Sequence, residues 1–413
     1  MFAWFEEASE TERRTFWGCF GGWALDAMDV QLYSLVIPTL IAGWGISRTQ
    51  AGMLATSALL LSAVGGWIAG LLADRIGRVR TLQITIVWFA FFTFASGFAQ
   101  NFEQLFIARA LMGLGFGGEW AAGAVLMGEV IRAEHRGKAV GTVQSGWAIG
   151  WGAAALLYAL MFSLLPEAVA WRVLFFAGIL PAGLVFFIRR FVDEPAVFTA
   201  TQQQIAAGAE RPHWLAIFDP GLLRATVLAA LLTTGAQGGY YAITTWLPTY
   251  LKTVRQLSVL NTSSYLAVII VGSFVGYLVG AYLTDRIGRR NNFFLFAACC
   301  VVTVLTYTQL PIDDRTVLIL GFPLGFFASG IFSGMGAFLT ELFPTQVRGS
   351  AQGFTYNFGR GVGALFPYFV GWLGETMPLG QAIGVFAAAA YAILFLAALA
   401  LPETRGRLIA AYE

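Results

Sequence analysis

Five ionisable side chains stand inside stretches of sequence that are otherwise apolar: Asp26 and Asp29 within 16–44, Arg109 and Glu119 within 102–128, and Arg360 within 349–373. A charge near the centre of a bilayer costs ~2.5–3.5 kcal/mol on insertion scales, so such a group faces a cavity or a partner. Asp26 and Asp29 are three residues apart and share one face of a helix. At ~1.5 Å per residue they lie near the middle of their stretch, as do Glu119 and Arg360, with Arg109 at about the depth of Asp29. A carboxyl in a low-dielectric cavity can carry a proton near neutral pH, and a buried Arg stays charged and offers a planar fork to a carboxylate. The set points to protons and an organic anion: Arg360 as the anion clamp, with Asp26, Asp29, Glu119 and Arg109 as proton-coupling candidates. Structural readings stand beside these. Arg109 can simply brace Asp29 or Glu119, and Arg360 can sit in a structural ion pair. Tyr33 lies one turn beyond Asp29, and Tyr356 and Asn357 lie one turn before Arg360. With Gln144, Gln237, Tyr240 and Tyr241, these are the candidates to line the pocket, although most membrane aromatics serve packing or the interface.

The elements that must position these groups are apolar helices. The chain of 413 residues is 58% hydrophobic and only 12% charged, whereas a soluble domain carries about 25% charged residues. Glycine (48 residues) falls inside the apolar runs, where small residues let membrane helices approach closely. A helix needs ~20 apolar residues to cross the hydrocarbon. Twelve such windows are legible: 16–44, 50–73, 81–101, 102–128, 139–165, 170–189, 223–251, 262–284, 291–310, 315–340, 349–373 and 378–401. The expected fold is therefore an all-α membrane protein, with the one long polar interruption, 192–222, as a cytoplasmic linker between halves 1–191 and 223–413. Lys and Arg number eighteen on the side of the N-terminus and five on the other, which predicts both termini in the cytoplasm. Residues 1–15 read as a cytoplasmic lead-in rather than a cleavable signal. A net charge of +2 without a basic cluster argues against nucleic acid. Cys19, Cys299 and Cys300 lie in apolar segments without disulfide or metal spacing and read as buried thiols. No cofactor is implied, and His135 and His213 form no catalytic or metal set, which argues against an enzyme.

The two halves repeat. Gly70-Leu71-Leu72-Ala73-Asp74-Arg75-Ile76-Gly77-Arg78 ends the second window, and Gly280-Ala281-Tyr282-Leu283-Thr284-Asp285-Arg286-Ile287-Gly288-Arg289 ends the eighth. Glu129 with Arg136-Gly137 recurs as Glu341 with Arg348-Gly349, and a weaker echo joins Asp193-Glu194-Pro195 to Pro402-Glu403-Thr404. Positive-inside anchoring accounts for the arginines but not for glycines and Asp at fixed spacing. Over essentially its whole length the chain resembles the major facilitator superfamily, whose members are twelve-helix transporters built as two pseudo-symmetric six-helix bundles that rock around a central site. That resemblance implies a cytoplasmic gating latch at Gly70, Asp74, Arg75, Gly77 and Arg78 and at Asp285, Arg286, Gly288 and Arg289. It also implies a monomer.

Within the superfamily, Asp26-Ala27-Met28-Asp29 is similar to the Asp-x-x-Asp of aromatic-acid and sialate proton symporters. Gly117-Gly118-Glu119-Trp120 resembles the Gly-Glu-(Trp/Tyr) of sialate, lactate and metabolite symporters, and Gly359-Arg360-Gly361-Val362-Gly363 resembles the helix 11 motif of aromatic-acid carriers. The Asn- and His-rich helix 7 of fungal lactate carriers is absent. Arg109-x-x-x-Gly113-x-Gly115 resembles a helix 4 motif associated with proton transfer. These likenesses imply a multi-pass inner-membrane importer that couples inward proton flow to a monocarboxylate such as an aromatic acid, a sialate-like sugar acid or a small hydroxy acid. The nearest alternative is a proton-coupled antiporter exporting drugs or metabolites, weakened because the fifth window has no Pro before Pro166. A membrane sensor is a third class.

Overall fold

In a computed structural model, described for residues 3–130, 136–194, 199, 217–343 and 348–405, every regular element is helical. We label the rods α1 (Glu10–Trp44), α2 (Arg48–Ile76), α3 (Arg78–Ser96) and α4 (Phe102–Val130), then α5, which runs Arg136–Gln144 and resumes after Ser145 as Gly146–Leu164. Rod α6 is Glu167–Ala177 and Ala182–Phe191, α7 is Pro220–Thr249, α8 is Val259–Ile287 and α9 is Arg289–Gln309. Rod α10 runs Asp314–Gly330 and Met335–Leu342 through a tight turn, α11 is Arg348–Gly363 and Leu365–Leu373, and α12 is Leu379–Ala400. Among the described residues nine helices are long and apolar enough to cross a membrane. Rods α4, α7 and α11 are not among them, and they carry Arg109 and Glu119, Gln237, and Arg360 respectively.

Local sequence explains the ends. Rod α1 starts six residues ahead of the apolar window because Ser9 and Glu12 form a reciprocal capping box, which satisfies donors that a bare helix start leaves open. Ser47 and Gln50 do the same for α2, and Gly45, at φ 65°, ends α1 in the left-handed conformation that Gly tolerates best. Rod α7 opens on Pro220, the residue type suited to a first helical turn. Most of the expected linker (195–198 and 200–216) lies outside the described residues.

The sequence repeat has a packing counterpart. Rod α2 lies along α4 as α8 lies along α10, while α1 packs on α5 and α7 packs on α11 and α12. Rods α2 with α11, α5 with α8, and α1 with α7 join the first six rods to the last six. At the end of the bundle opposite the repeated Gly-Asp-Arg loops, these groups are also clasped by polar contacts. Arg48 donates to the Gly374 carbonyl at 2.5 Å, Thr49 donates through N and Oγ1 to Glu375 at 3.0 and 2.6 Å, and Lys252 meets Glu167 at 3.1 Å.

At the loop end, the third and weakest echo turns out to hold the first in place. Gly77 and Gly288 turn the chain at φ 106° and 100°, a region that L side chains rarely adopt. Glu194 reaches the start of α3, accepting from the backbone N–H of Arg78 and Val79 at 2.9 Å each. Glu403 repeats this on α9, accepting from Arg289 at 2.9 Å and Arg290 at 3.0 Å. Each carboxylate fills orphan donors at a helix N-terminus, where the dipole also favours negative charge. Arg289 further grips Glu341 through Nε and Nη2 at 3.1 and 2.7 Å, and the Thr404 hydroxyl donates to the same carboxylate at 2.7 Å. Arg289, an arginine of the repeated loop, is thus a partner of Glu341. Of the latch candidates, Gly70, Asp74, Arg75 and Asp285 lie outside the described side chains.

Burial alone would raise the Glu403 carboxyl, but N–H donors from Arg405, Arg289, Arg290 and Thr404 outweigh it and hold the group below its ordinary value. A lowered folded value makes this stabilisation complete above the unfolded value, about pH 4.3, and it is lost as pH falls through the folded value. Glu403→Gln should therefore melt earlier than wild type at neutral pH in detergent, with the difference shrinking on acidification. A difference that does not change with pH would show that the carboxylate charge is not what caps α9. Gly77→Ala should cost about 1–3 kcal/mol of stability, because a Cβ there would stand 2.2 Å from Glu194 Oε1 on a backbone already at positive φ. An unchanged melting curve would mean that Glu194 is not seated on α3.

Candidate functional site

Four of the five charges within the apolar rods are at most 1% exposed, and Arg109 is 2% exposed. They divide into two groups rather than forming one. In the first group, Arg109 of α4 donates to Asp29 of α1 at 3.4 Å, with both side chains 2% exposed. The guanidinium also lies 5.1 Å from the Tyr33 ring and 5.7 Å from Phe175, contacts that suit a cation on an aromatic face. Tyr33, expected in the pocket, spends its hydroxyl on the Ala51 carbonyl of α2 at 2.6 Å. Asp29, Arg109 and Tyr33 therefore tie α1 to α2 and α4.

The second group lies where α1, α4, α7 and α11 meet. Glu119 of α4 is within hydrogen-bonding reach of Asp26 on α1. One turn before Asp26, Gly22 makes the room: a Cβ there would stand 2.1 Å from Glu119 Oε1. Among the described residues neither Asp26 oxygen finds a hydrogen-bond donor, so a bond between the two acids requires a proton on one of them. Both acids feel the charge of Arg360 on α11. Arg360 is stacked by Phe116 at 5.0 Å and Tyr356 at 5.3 Å, and the hydroxyls of Tyr356 and Tyr241 are within its reach. Gln237 holds this corner together, donating to the Tyr356 carbonyl at 2.9 Å and accepting from the Tyr241 hydroxyl at 3.3 Å.

The remaining pocket candidates fall at the edges. Tyr240 accepts from Trp147 Nε1 of α5 at 2.5 Å, a bond between the two groups of rods. Asn357 donates to the Gly353 carbonyl at 2.9 Å, and its side-chain oxygen faces Gly66 of α2, which places it in the α2–α11 contact. Gln144 is 9% exposed near the break in α5. The arrangement thus brings together Asp26, Glu119, Arg360, Tyr241, Tyr356 and Gln237. It sets Asp29, Arg109 and Tyr33 apart.

Residues 19–317 match the family described as the Major Facilitator Superfamily. The chain belongs to that superfamily. As a superfamily member it is a multi-pass membrane transporter and not an enzyme. It is 45% identical, over 98% of its length and 94% of the relative's, to the "Probable 4-methylmuconolactone transporter" of Cupriavidus pinatubonensis. It is 31% identical to the cis,cis-muconate transport protein of Acinetobacter baylyi, with 92% of each chain covered, and 27% identical to the niacin transporter of the same species, with 84% of each covered. The relatives are thus named for small organic acids, and the likeness to the aromatic-acid branch of the superfamily holds.

Sequence reading passed over Gly22, Phe116 and Gln31 of this region. Gly22 is one glycine among 48 and Phe116 one phenylalanine among 36; neither composition nor spacing separates them from packing residues. Gln31 carries the same signal as Gln144 and Gln237, an amide inside an apolar stretch, and residue type alone does not show which amides stay unpartnered.

The brace makes a direct prediction. Asp29→Asn and Arg109→Gln should each destabilise the folded protein by about 3–5 kcal/mol, the scale for stranding one member of a buried ion pair. The double variant should recover most of that loss, as read by thermal melting in detergent. Wild-type melting in both single variants would dismiss the brace.

Proposed function

We propose that the chain is a proton-coupled symporter carrying an organic monocarboxylate inward across the bacterial inner membrane by alternating access. The observation that supports this reading best is the buried meeting of Asp26 and Glu119 within the field of Arg360. Two carboxyls at hydrogen-bonding distance repel when both are ionised, so they hold one proton between them. With that proton in place, the remaining negative charge balances Arg360. A second proton leaves Arg360 without its counter-charge, and the substrate carboxylate then supplies it. Proton and anion thereby load together, and the loaded site has no net charge to carry through the low-dielectric middle of the protein. Tyr241 and Tyr356 complete the carboxylate site by hydrogen bonding. Asp29 and Arg109, committed to each other, hold α1 against α4 while the site changes state.

In this reading the protein has twelve spans with both termini cytoplasmic, two six-helix halves (1–191 and 223–413) joined by a cytoplasmic linker over 192–222, and works as a monomer. The repeated loops with Asp74, Arg75, Asp285, Arg286 and their glycines form the cytoplasmic latch, extended by Glu194 and Glu403. The contacts of Arg48, Thr49 and Lys252 then lie outside, so the conformation is clasped at its external end. Relatives named for a muconolactone, muconate and niacin support an organic acid as cargo.

Uptake by proteoliposomes of labelled lactone, aromatic, sialate and lactate acids, with and without an inward proton gradient, tests the proposal. One acid should accumulate with the gradient. Glu119→Gln and Asp26→Asn should each abolish accumulation and spare exchange, and Arg360→Ala should weaken binding of the acid at least tenfold, in line with ~1.5–3 kcal/mol for a charged hydrogen bond. If no acid responds and an amphipathic dye is exported instead, the chain is an antiporter.

A further inference from the structure

The charged cluster is one end of a longer polar seam. Phe116 links the two parts: its ring centroid lies 5.0 Å from the Arg360 guanidinium carbon and 6.3 Å from the Trp147 ring centroid. Beyond it, hydrogen-bonding groups gather from five rods, and none of them is charged. The Tyr240 hydroxyl, already accepting from Trp147, is within reach of Gln31 on α1 and Ser329 on α10, and Tyr277 of α8 also reaches Ser329. Gln31 is 1% exposed and Ser329 fully buried. Neither amide atom of Gln31, nor the Ser329 hydroxyl, has a well-formed hydrogen bond among the described residues.

A primary amide offers two donors and an acceptor with two lone pairs, and a single tyrosine hydroxyl meets only a fraction of that capacity. Burying it unmet costs ~1–3 kcal/mol. The Tyr240 hydroxyl can meet the amide oxygen, which leaves the Nε2 hydrogens and the Ser329 hydroxyl as donors, and a ligand that brings acceptors to this end recovers the loss. A ligand that brings a second carboxylate does not, because among the described residues the buried cations are Arg109, paired with Asp29, Arg289, paired with Glu341, and Arg360, which the first carboxylate takes.

We propose that Gln31, Tyr240 and Ser329 form an uncharged subsite for the far end of the carried acid. The cargo is then a monocarboxylate bearing a neutral oxygen-containing ring, such as a lactone, with its carboxylate on Arg360 and its ring oxygens here. Linear dicarboxylates are discriminated against. This rests on the transport reading above and refines its substrate class.

The test uses the full-length protein in proteoliposomes with an inward proton gradient and three probes of similar length. They are a lactone-ring monocarboxylate, its analogue with the ring oxygens replaced by carbon, and an unsaturated linear dicarboxylate. Wild type should favour the lactone acid over the carbocyclic acid by about tenfold in half-saturation concentration, the value of one or two buried hydrogen bonds, and over the dicarboxylate by at least as much. Gln31→Met, nearly isosteric, and Ser329→Ala should each narrow the lactone preference to about two- or threefold. Equal use of lactone and carbocyclic acids by wild type, preference for the dicarboxylate, or an undiminished preference in both variants overturns the subsite. Absence of gradient-driven uptake of any acid would instead strike at the transport reading itself. The wild-type comparison decides the matter where a variant fails to insert.

Discussion

An ionised side chain in a hydrocarbon layer has no water to turn to, so its counter-charge has to come from another helix. That requirement determines which rods meet in the middle of this protein. Arg109 could not be buried to 2% exposure without Asp29, and the pairing pins α4 to α1. Arg360 could not be buried without the acids of α1 and α4 and the hydroxyls of α7 and α11 around it. The two answers differ in kind. A one-to-one pair is electrically finished and serves as a brace. Two acids set against one cation are left with a negative surplus that a proton settles, and in the proposed cycle a further proton frees the cation for the anionic cargo.

The loop end obeys the same rule at lower stakes. Helix starts at Arg78 and Arg289 expose backbone N–H groups close to the apolar region, and in each case a single Glu from a distant segment caps them. Because Glu194 and Glu403 come from beyond α6 and α12, each cap ties the end of one set of rods to the start of its third. A movement that separates those segments must break charge-assisted bonds, which gives the repeated loop a mechanical role that its arginines alone would not supply.

Much of this was legible in the residue order. Apolar run lengths locate the helices, and the five stray charges mark the region where rods converge. What run length could not show is which charges belong together. Asp26 and Asp29 share a face and look equivalent in sequence, yet three residues of helix rotate them toward Glu119 and Arg109 respectively, and only packing reveals the division. Helix starts were also misplaced where polar capping decides them: the Ser9–Glu12 box carries α1 outward past its apolar window. Gln31 escaped because an uncharged amide becomes informative only once its surroundings prove unable to satisfy it.

The division between brace and surplus also bears on why the site sits between bundles rather than inside one. Asp29 and Arg109 both come from the first six rods, so in the proposed alternating-access cycle their pairing need not change. Arg360, Tyr241 and Tyr356 belong to the last six, whereas Asp26 and Glu119 belong to the first. Their electrostatic contact crosses the boundary that the proposed cycle opens and closes. Protonating the acids weakens the attraction across it, and a bound carboxylate restores neutrality on the Arg360 side alone. The charge state of the site is therefore coupled to how firmly the two groups of rods hold each other, whereas an ion pair confined to one group would leave that boundary untouched.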